Sequence, residues 1–192
     1  SIRKQKRIIL TEGYMDVIAM DQAGFNETVA TMGTSLTKEH VSLLSQITDN
    51  IILAYDGDQA GNQATLKAIE AFNKTKVKLD VLIFPEQLDP DEFIKKHGVQ
   101  ALKNHIEHHL KDPFDYRYDM YKHKRDLKNS HDMVAFKDDI IKMIKDADPS
   151  VQALYKERLA IELNIDAALI QVKSKNTPSL QIKKKETKKA LP

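Results

Sequence analysis

Three short apolar runs, each closing on acid, set the strongest limit on what this chain can fold into. Ile8-Ile9-Leu10 leads to Glu12, Ile51-Ile52-Leu53-Ala54-Tyr55 to Asp56-Gly57-Asp58, and Val81-Leu82-Ile83-Phe84 to Asp89 and Asp91. Runs of this length and β-branched content read as buried strands. Between them apolar residues recur with helical spacing: Val17 and Met20, then Val41, Leu44 and Ile47, then Leu66, Ile69 and Phe72. Strand alternating with helix predicts an α/β fold with a mostly parallel sheet flanked by helices. Strands that all end in carboxylates gather those groups along one edge of the sheet, where open α/β sheets bind ligands. Like charges that close repel unless a cation lies among them. The pattern therefore predicts a divalent-metal site, and hard oxygen donors suit magnesium or manganese.

In detail, strands are expected at residues 7–10, 28–31, 51–55 and 79–84, with Pro85 stopping the last, and Gly24 closes the first helix. Further helical spacing follows through Phe93 and Ile94, and through Leu102 and Ile106 beyond Gly98. After Pro113 the strand pattern vanishes. One helix is expected through Tyr116, Met120 and Leu127, a second through Met133, Phe136, Ile140 and Ile144, a third from Pro149 through Leu163, and a last from Asp166 to Val172. The expected organisation is a sheet domain over 1–110, a helical bundle over 111–174 and a flexible basic tail over 175–192, where Lys183 to Lys185, Lys188 and Lys189 cluster. Ser1 in place of an initiator Met, almost directly ahead of a strand, leads us to expect a piece of a longer protein.

The 192 residues suffice for one good core or two small ones. No cysteine is present, which removes thiolate zinc sites, disulfides and cysteine nucleophiles and fits a cytoplasmic protein. No run approaches membrane-span length. The Asp56–Gly61 stretch looks like the start of an EF-hand loop, but Ala60 and Lys67 stand where oxygen ligands are required. Asp56-Gly57 as a hairpin turn fails because Ala64, Leu66, Ala68 and Ile69 continue as a helix. A phosphoaspartate enzyme would not need the extra acids at Glu12 and Asp91.

Asp16, four residues past Glu12, lies on the same helix face. It either supports the site from behind or merely complements the helix N-terminus. Gly13, Gly33, Gly57 and Gly61 fall at strand-to-helix turns, where unusual backbone angles or close approach of a phosphate are common needs. Thr34 and Ser35 are anion donors or helix caps, and Lys38 and Lys67 are within the range of bound phosphate. The expectation is that five or six acids converge within coordinating reach of shared magnesium.

Taken together, Glu12-Gly13-Tyr14-Met15-Asp16-Val17, Thr31-Met32-Gly33-Thr34-Ser35, Tyr55-Asp56-Gly57-Asp58-Gln59-Ala60-Gly61 and Asp89-Pro90-Asp91 resemble the Toprim domain of bacterial DNA primases, in order and spacing. The stretch after Pro113 is similar in kind to the bundle that follows it in that family. The resemblance implies a DNA-dependent RNA polymerase, a nucleotidyltransferase making short RNA primers on single-stranded DNA at the bacterial replication fork. It implies two or three Mg²⁺ or Mn²⁺ ions held by Glu12, Asp56, Asp58, Asp89 and Asp91, with Glu12, Asp16, Asp56 and Asp58 in catalysis. Nucleotide or phosphate contacts are expected from Gly13, Gly33, Thr34, Ser35, Gly57 and Lys67. The implied partners are template and primer, nucleoside triphosphates, a replicative helicase through the full-length protein, and inhibitory guanosine alarmones. Gln59 departs from the family, many of whose members have a basic residue there. A nuclease or topoisomerase fragment with the same domain, and a non-catalytic module holding a structural ion, are the alternatives.

Overall fold

In the computed structural model, which describes residues 6–34 and 36–172, the apolar runs form the centre of one sheet. Ser35 and the lysine-rich tail, each carrying an expectation above, lie outside the described residues. The strands are β1 (Ile8–Thr11), β2 (Thr28–Ala30), β3 (Asn50–Leu53), β4 (Lys78–Leu82) and β5 (Leu110–Lys111), in the spatial order β2-β1-β3-β4-β5. The first four run parallel, with Ile8 opposite Ile51 and Ile51 opposite Leu79. The edge strand β5 is antiparallel to β4. Its two residues are too few for any periodic signal, and the sequence pattern predicts no strand there.

The helices of the sheet unit are α1 (Tyr14–Gln22), α2 (Lys38–Ile47), α3 (Gln59–Phe72), α4 (Pro90–His97) and α5 (Val99–His108). A parallel sheet is stable only when both faces are covered, and alternation along each strand meets that demand. Ile8, Leu10, Ile51, Leu53 and Val81 pack in one core with Val41 and Leu44 of α2 and Ala68, Ile69 and Phe72 of α3. Ile9, Ile52, Leu82 and Phe84 pack in the other with Met20 of α1, Phe93 of α4, and Leu102 and Ile106 of α5.

The described residues fall into two compact units that divide between Met120 and Tyr121. The divide lies within α6 (Pro113–His123). In the second unit α7 (Ser130–Ile144) and α8 (Pro149–Leu163) pack together, burying Phe136, Ile140, Ile144, Tyr155, Leu159 and Leu163. Pro149 opens α8 in its first turn, as expected. Two helical expectations were too long. α6 ends at His123, short of Leu127, and the helix sought from Asp166 to Val172 is a single 3-10 turn, Ala167–Leu169. Asp166 still caps that turn by accepting the Ala168 N–H. Among the described residues no helix is long and apolar enough to cross a membrane.

Candidate metal and nucleotide site

The strand order reverses direction between β1 and β3: the chain leaves β1 for β2 on one side and returns to β3 on the other. At such a switch point the loops leaving the two strands part and open a crevice at their carboxyl ends. Glu12 and Asp56 follow those two strand ends. The ladder holds the exits in register, because Ala54 N–H donates to the Leu10 carbonyl at 2.8 Å and Met32 N–H to the Glu12 carbonyl at 3.0 Å.

Burial is the first cause of a raised pKa at Glu12, Asp16 and Asp56, and like charge adds to it. Asp56 is pushed up to about 7, with Glu12, Asp16, Asp89 and Asp58 all repelling its charge. Glu12 is held up further by Asp58 and Asp16, while the Asp56 backbone amide acts in the opposite sense. Asp16, only 5% exposed, is raised by Asp89 and Asp91 and relieved by the backbone amides of Gly13 and Asp91. The six acids singled out from the sequence are therefore mutual electrostatic neighbours.

Among the described residues no three acidic or histidine side chains are already arranged to hold a metal ion. The reason is local. Asp58 caps α3 by accepting the Gly61 N–H at 2.7 Å, Asp89 caps α4 by accepting the Glu92 N–H at 2.6 Å, and Asp16 accepts the Gly13 N–H at 3.0 Å. Asp91 is paired with Lys95. Orphan amides at helix starts are strong competitors for nearby carboxylates. Glu12 is the exception, since its Oε1 is buried and has no hydrogen-bond partner. A buried carboxylate oxygen without a donor suits a cation, and the surrounding donors are all hard oxygens, the type that magnesium and manganese take.

Beside Glu12 opens a cleft of ≈ 430 Å³ lined by Thr31, Gly33, Thr34, Leu36, Tyr55, Ala60, Gln63, Ala64 and Lys67 as well as Glu12 itself. Three of the expected phosphate contacts, Gly33, Thr34 and Lys67, are thus brought to one wall system with a proposed metal ligand. Gly13 and Gly57 are not. The Gly13 N–H is taken by Asp16, and the Gly57 N–H donates to the Leu88 carbonyl at 3.0 Å. Gly57 and Gly61 are small because protein backbone presses on them. A Cβ at Gly57 would lie 2.6 Å from the Phe84 carbonyl oxygen, and one at Gly61 2.2 Å from that of Asp56. Lys38 does not line the cleft. Gln63 does and was not singled out from the sequence. The stripe Ala60, Gln63, Ala64 and Lys67, at one face's spacing on α3, was the available signal.

His105 stacks on Phe93 and His109, and its Nε2 meets the Ile83 carbonyl at 2.8 Å.

A five-stranded, mostly parallel sheet with an acidic crevice at its switch point defines a class, and residues 9–94 match the Toprim-like family model. The chain is 37% identical to DNA primase of Listeria innocua over 167 residues, 86% of this chain and 27% of that protein. It is likewise 37% identical to DNA primase of Staphylococcus aureus over 180 residues, 88% of this chain and 30% of that protein. Among solved structures it is similar to the Escherichia coli primase catalytic core, with a TM-score of 0.66, 29% identity, and 84% of this chain and 52% of that one covered. The RNA polymerase domain of Mycobacterium tuberculosis primase DnaG, in complex with a double-stranded DNA oligomer with a 6-nucleotide overhang, gives a TM-score of 0.67 at 27% identity, covering 86% and 54%. In sequence and fold the chain is similar to the Toprim-containing part of the catalytic core of DnaG-type bacterial DNA primases. It spans between 26% and 30% of the length of the curated relatives it matches.

Proposed function

We propose that this chain is the cation- and nucleotide-handling part of a DNA primase, a DNA-dependent RNA polymerase that forms short RNA primers on single-stranded template. The observation that carries the reading is Glu12: its unpartnered buried oxygen lies at the switch point, among the acids of the primase-like motifs and on the wall of a nucleotide-sized cleft. Glu12 and Asp56, joined by Asp58, Asp89 and Asp91 once their side chains turn from the backbone amides and Lys95 that now engage them, would hold divalent ions here. Magnesium or manganese so held would neutralise triphosphate charge and stabilise an in-line displacement at the α-phosphate.

Asp16 acts on the acids it faces: buried and fixed to the start of α1, it holds negative charge behind Asp89 and Asp91. Gly33, Thr34 and Lys67 present donors and one positive charge to phosphate in the cleft, with Ser35 following Thr34 in sequence. Template strand, primer and nucleoside triphosphates are the substrates, and competition by guanosine alarmones at the nucleotide site belongs to the same reading. A replicative helicase is the expected partner of the longer protein.

The test is primer synthesis on single-stranded DNA by a primase containing this segment, with Glu12→Gln as the probe. We expect at least about a 100-fold loss of rate, the scale of removing one key electrostatic contact to the transition state, together with weaker Mn²⁺ binding and an unchanged fold. A Glu12→Gln enzyme that primes at the original rate would overturn the assignment.

A further inference from the structure

Beyond the acids and the cleft, four exposed apolar side chains belong to the segments that adjoin Glu12. α1 buries Asp16, Ala19 and Met20 and leaves Tyr14, Met15 and Ile18 exposed, so each exposed residue in its first two turns is apolar. Tyr14 is 60% exposed and is separated from Glu12 only by Gly13. Met32, 61% exposed, is tied to the same place, since its backbone N–H is the one donated to the Glu12 carbonyl. Its φ of 58° lies in the left-handed region, an unfavourable conformation for a side chain of this kind. Tyr14 and Met32 are therefore both anchored to the main chain next to Glu12, the carboxylate with a buried oxygen that lacks a partner.

Charge decides what can cover them. Glu12, Asp56, Asp58 and Asp89 repel a phosphodiester backbone except where a cation bridges the two. Any further grip on a strand near Glu12 must come from the uncharged part of the strand, the faces of its bases. Exposed aromatic rings hold bases in that way without regard to sequence, and methionine sulfur is a favourable neighbour for a ring. A duplex hides its base faces, so the surface suits a single strand.

We propose that Tyr14 is a stacking platform for one unpaired base of the nucleic acid handled at Glu12. The inference rests on the nucleotide-handling reading above and adds a recognition residue to it. The experiment uses this chain, Mn²⁺ and a single-stranded oligodeoxynucleotide carrying 2-aminopurine, whose fluorescence is quenched on stacking. Binding should quench the label. Tyr14→Phe should bind as the unaltered chain does, while Tyr14→Leu and Tyr14→Ala should bind at least about fivefold more weakly, the lower end of what one stacked base contributes. Ultraviolet crosslinking of a 5-iodouracil strand to the unaltered chain should label the peptide containing Tyr14, a readout independent of how any variant folds.

No quenching, crosslinks confined to other tyrosines, or a Tyr14→Leu chain that binds like Tyr14→Phe would overturn the platform. The last result would show only an apolar surface that another protein segment covers. Glu12→Gln separates the two readings. If it abolishes the Mn²⁺-dependent part of binding while the Tyr14 variants behave normally, the platform fails alone. If Mn²⁺ dependence survives Glu12→Gln but the Tyr14 effect persists, the cation site fails and the platform stands.

Discussion

Replacing Asp56 with Asn should stabilise the ion-free protein while removing one of its proposed cation ligands. Burial and four neighbouring carboxylates hold Asp56 up at about 7, against an ordinary 3.8. At ~1.4 kcal/mol per tenfold change in proton affinity, that gap sets an upper bound of about 4 kcal/mol on the cost of folding with Asp56 ionised. The side chain is only half-buried, so solvent screening reduces this to about 2 kcal/mol. The sign follows from proton linkage. Between pH about 4 and 7 the folded state binds more protons at Asp56 than the unfolded state does, so stability falls as pH rises through that window and is level above it.

Asn carries no such charge and is nearly the same shape. The variant should therefore melt about 4–8 °C higher than the parent at pH 8 without divalent ions, and the difference should vanish below pH about 4. Glu12 and Asp16, raised in the same direction, leave a residual slope in both proteins. Added Mg²⁺ should stabilise the parent more than the variant, because only the parent offers both ionised ligands. The assay is thermal unfolding followed by circular dichroism from pH 4 to 8, with chelator or Mg²⁺. Equal or lower stability of Asp56→Asn at pH 8 in chelator would refute the picture of compressed like charge.

Other expectations follow from close approaches and buried charge. Gly61→Ala places a methyl group 2.2 Å from the Asp56 carbonyl oxygen, so the loop carrying Asp56 must shift. It should lower stability by about 1–3 kcal/mol in urea titration and weaken Mn²⁺ binding together. Arg7→Met removes the partner of Glu27, which is 1% exposed and bound at 2.9 Å, and should cost about 2–3 kcal/mol in the same assay because the remaining charge is buried. Unchanged urea midpoints for either variant would contradict these assignments.

Much of the fold was legible because it rests on short-range patterns. Buried parallel strands read as continuous apolar runs, helices as a 3.6 period, and both periods survive in Ile8–Thr11, Asn50–Leu53 and Gln59–Phe72. β5 was not legible: an edge pair of two residues takes its strand character from the neighbour it pairs with, not from its own sequence. Leu127 and Val172, at the ends of their expected helices, lie beyond the elements that form, since apolar spacing alone does not mark where a helix stops.

The same division holds at the site. Acid after each apolar run is a property of the sequence, and with a parallel sheet it already places Glu12, Asp56 and Asp89 at one edge. What the acids do there depends on groups remote in the chain. Asp58 and Asp89 answer the unsatisfied amides of their own helices, Gly57 and Gly61 are small because Phe84 and Asp56 backbones press on them, and Glu12 keeps one buried oxygen without a partner. Sequence by itself determined which charges would meet, because strand direction follows from local pattern. Only tertiary structure decided which of those charges are already engaged, because hydrogen bonding and burial depend on distances between segments that no local period encodes.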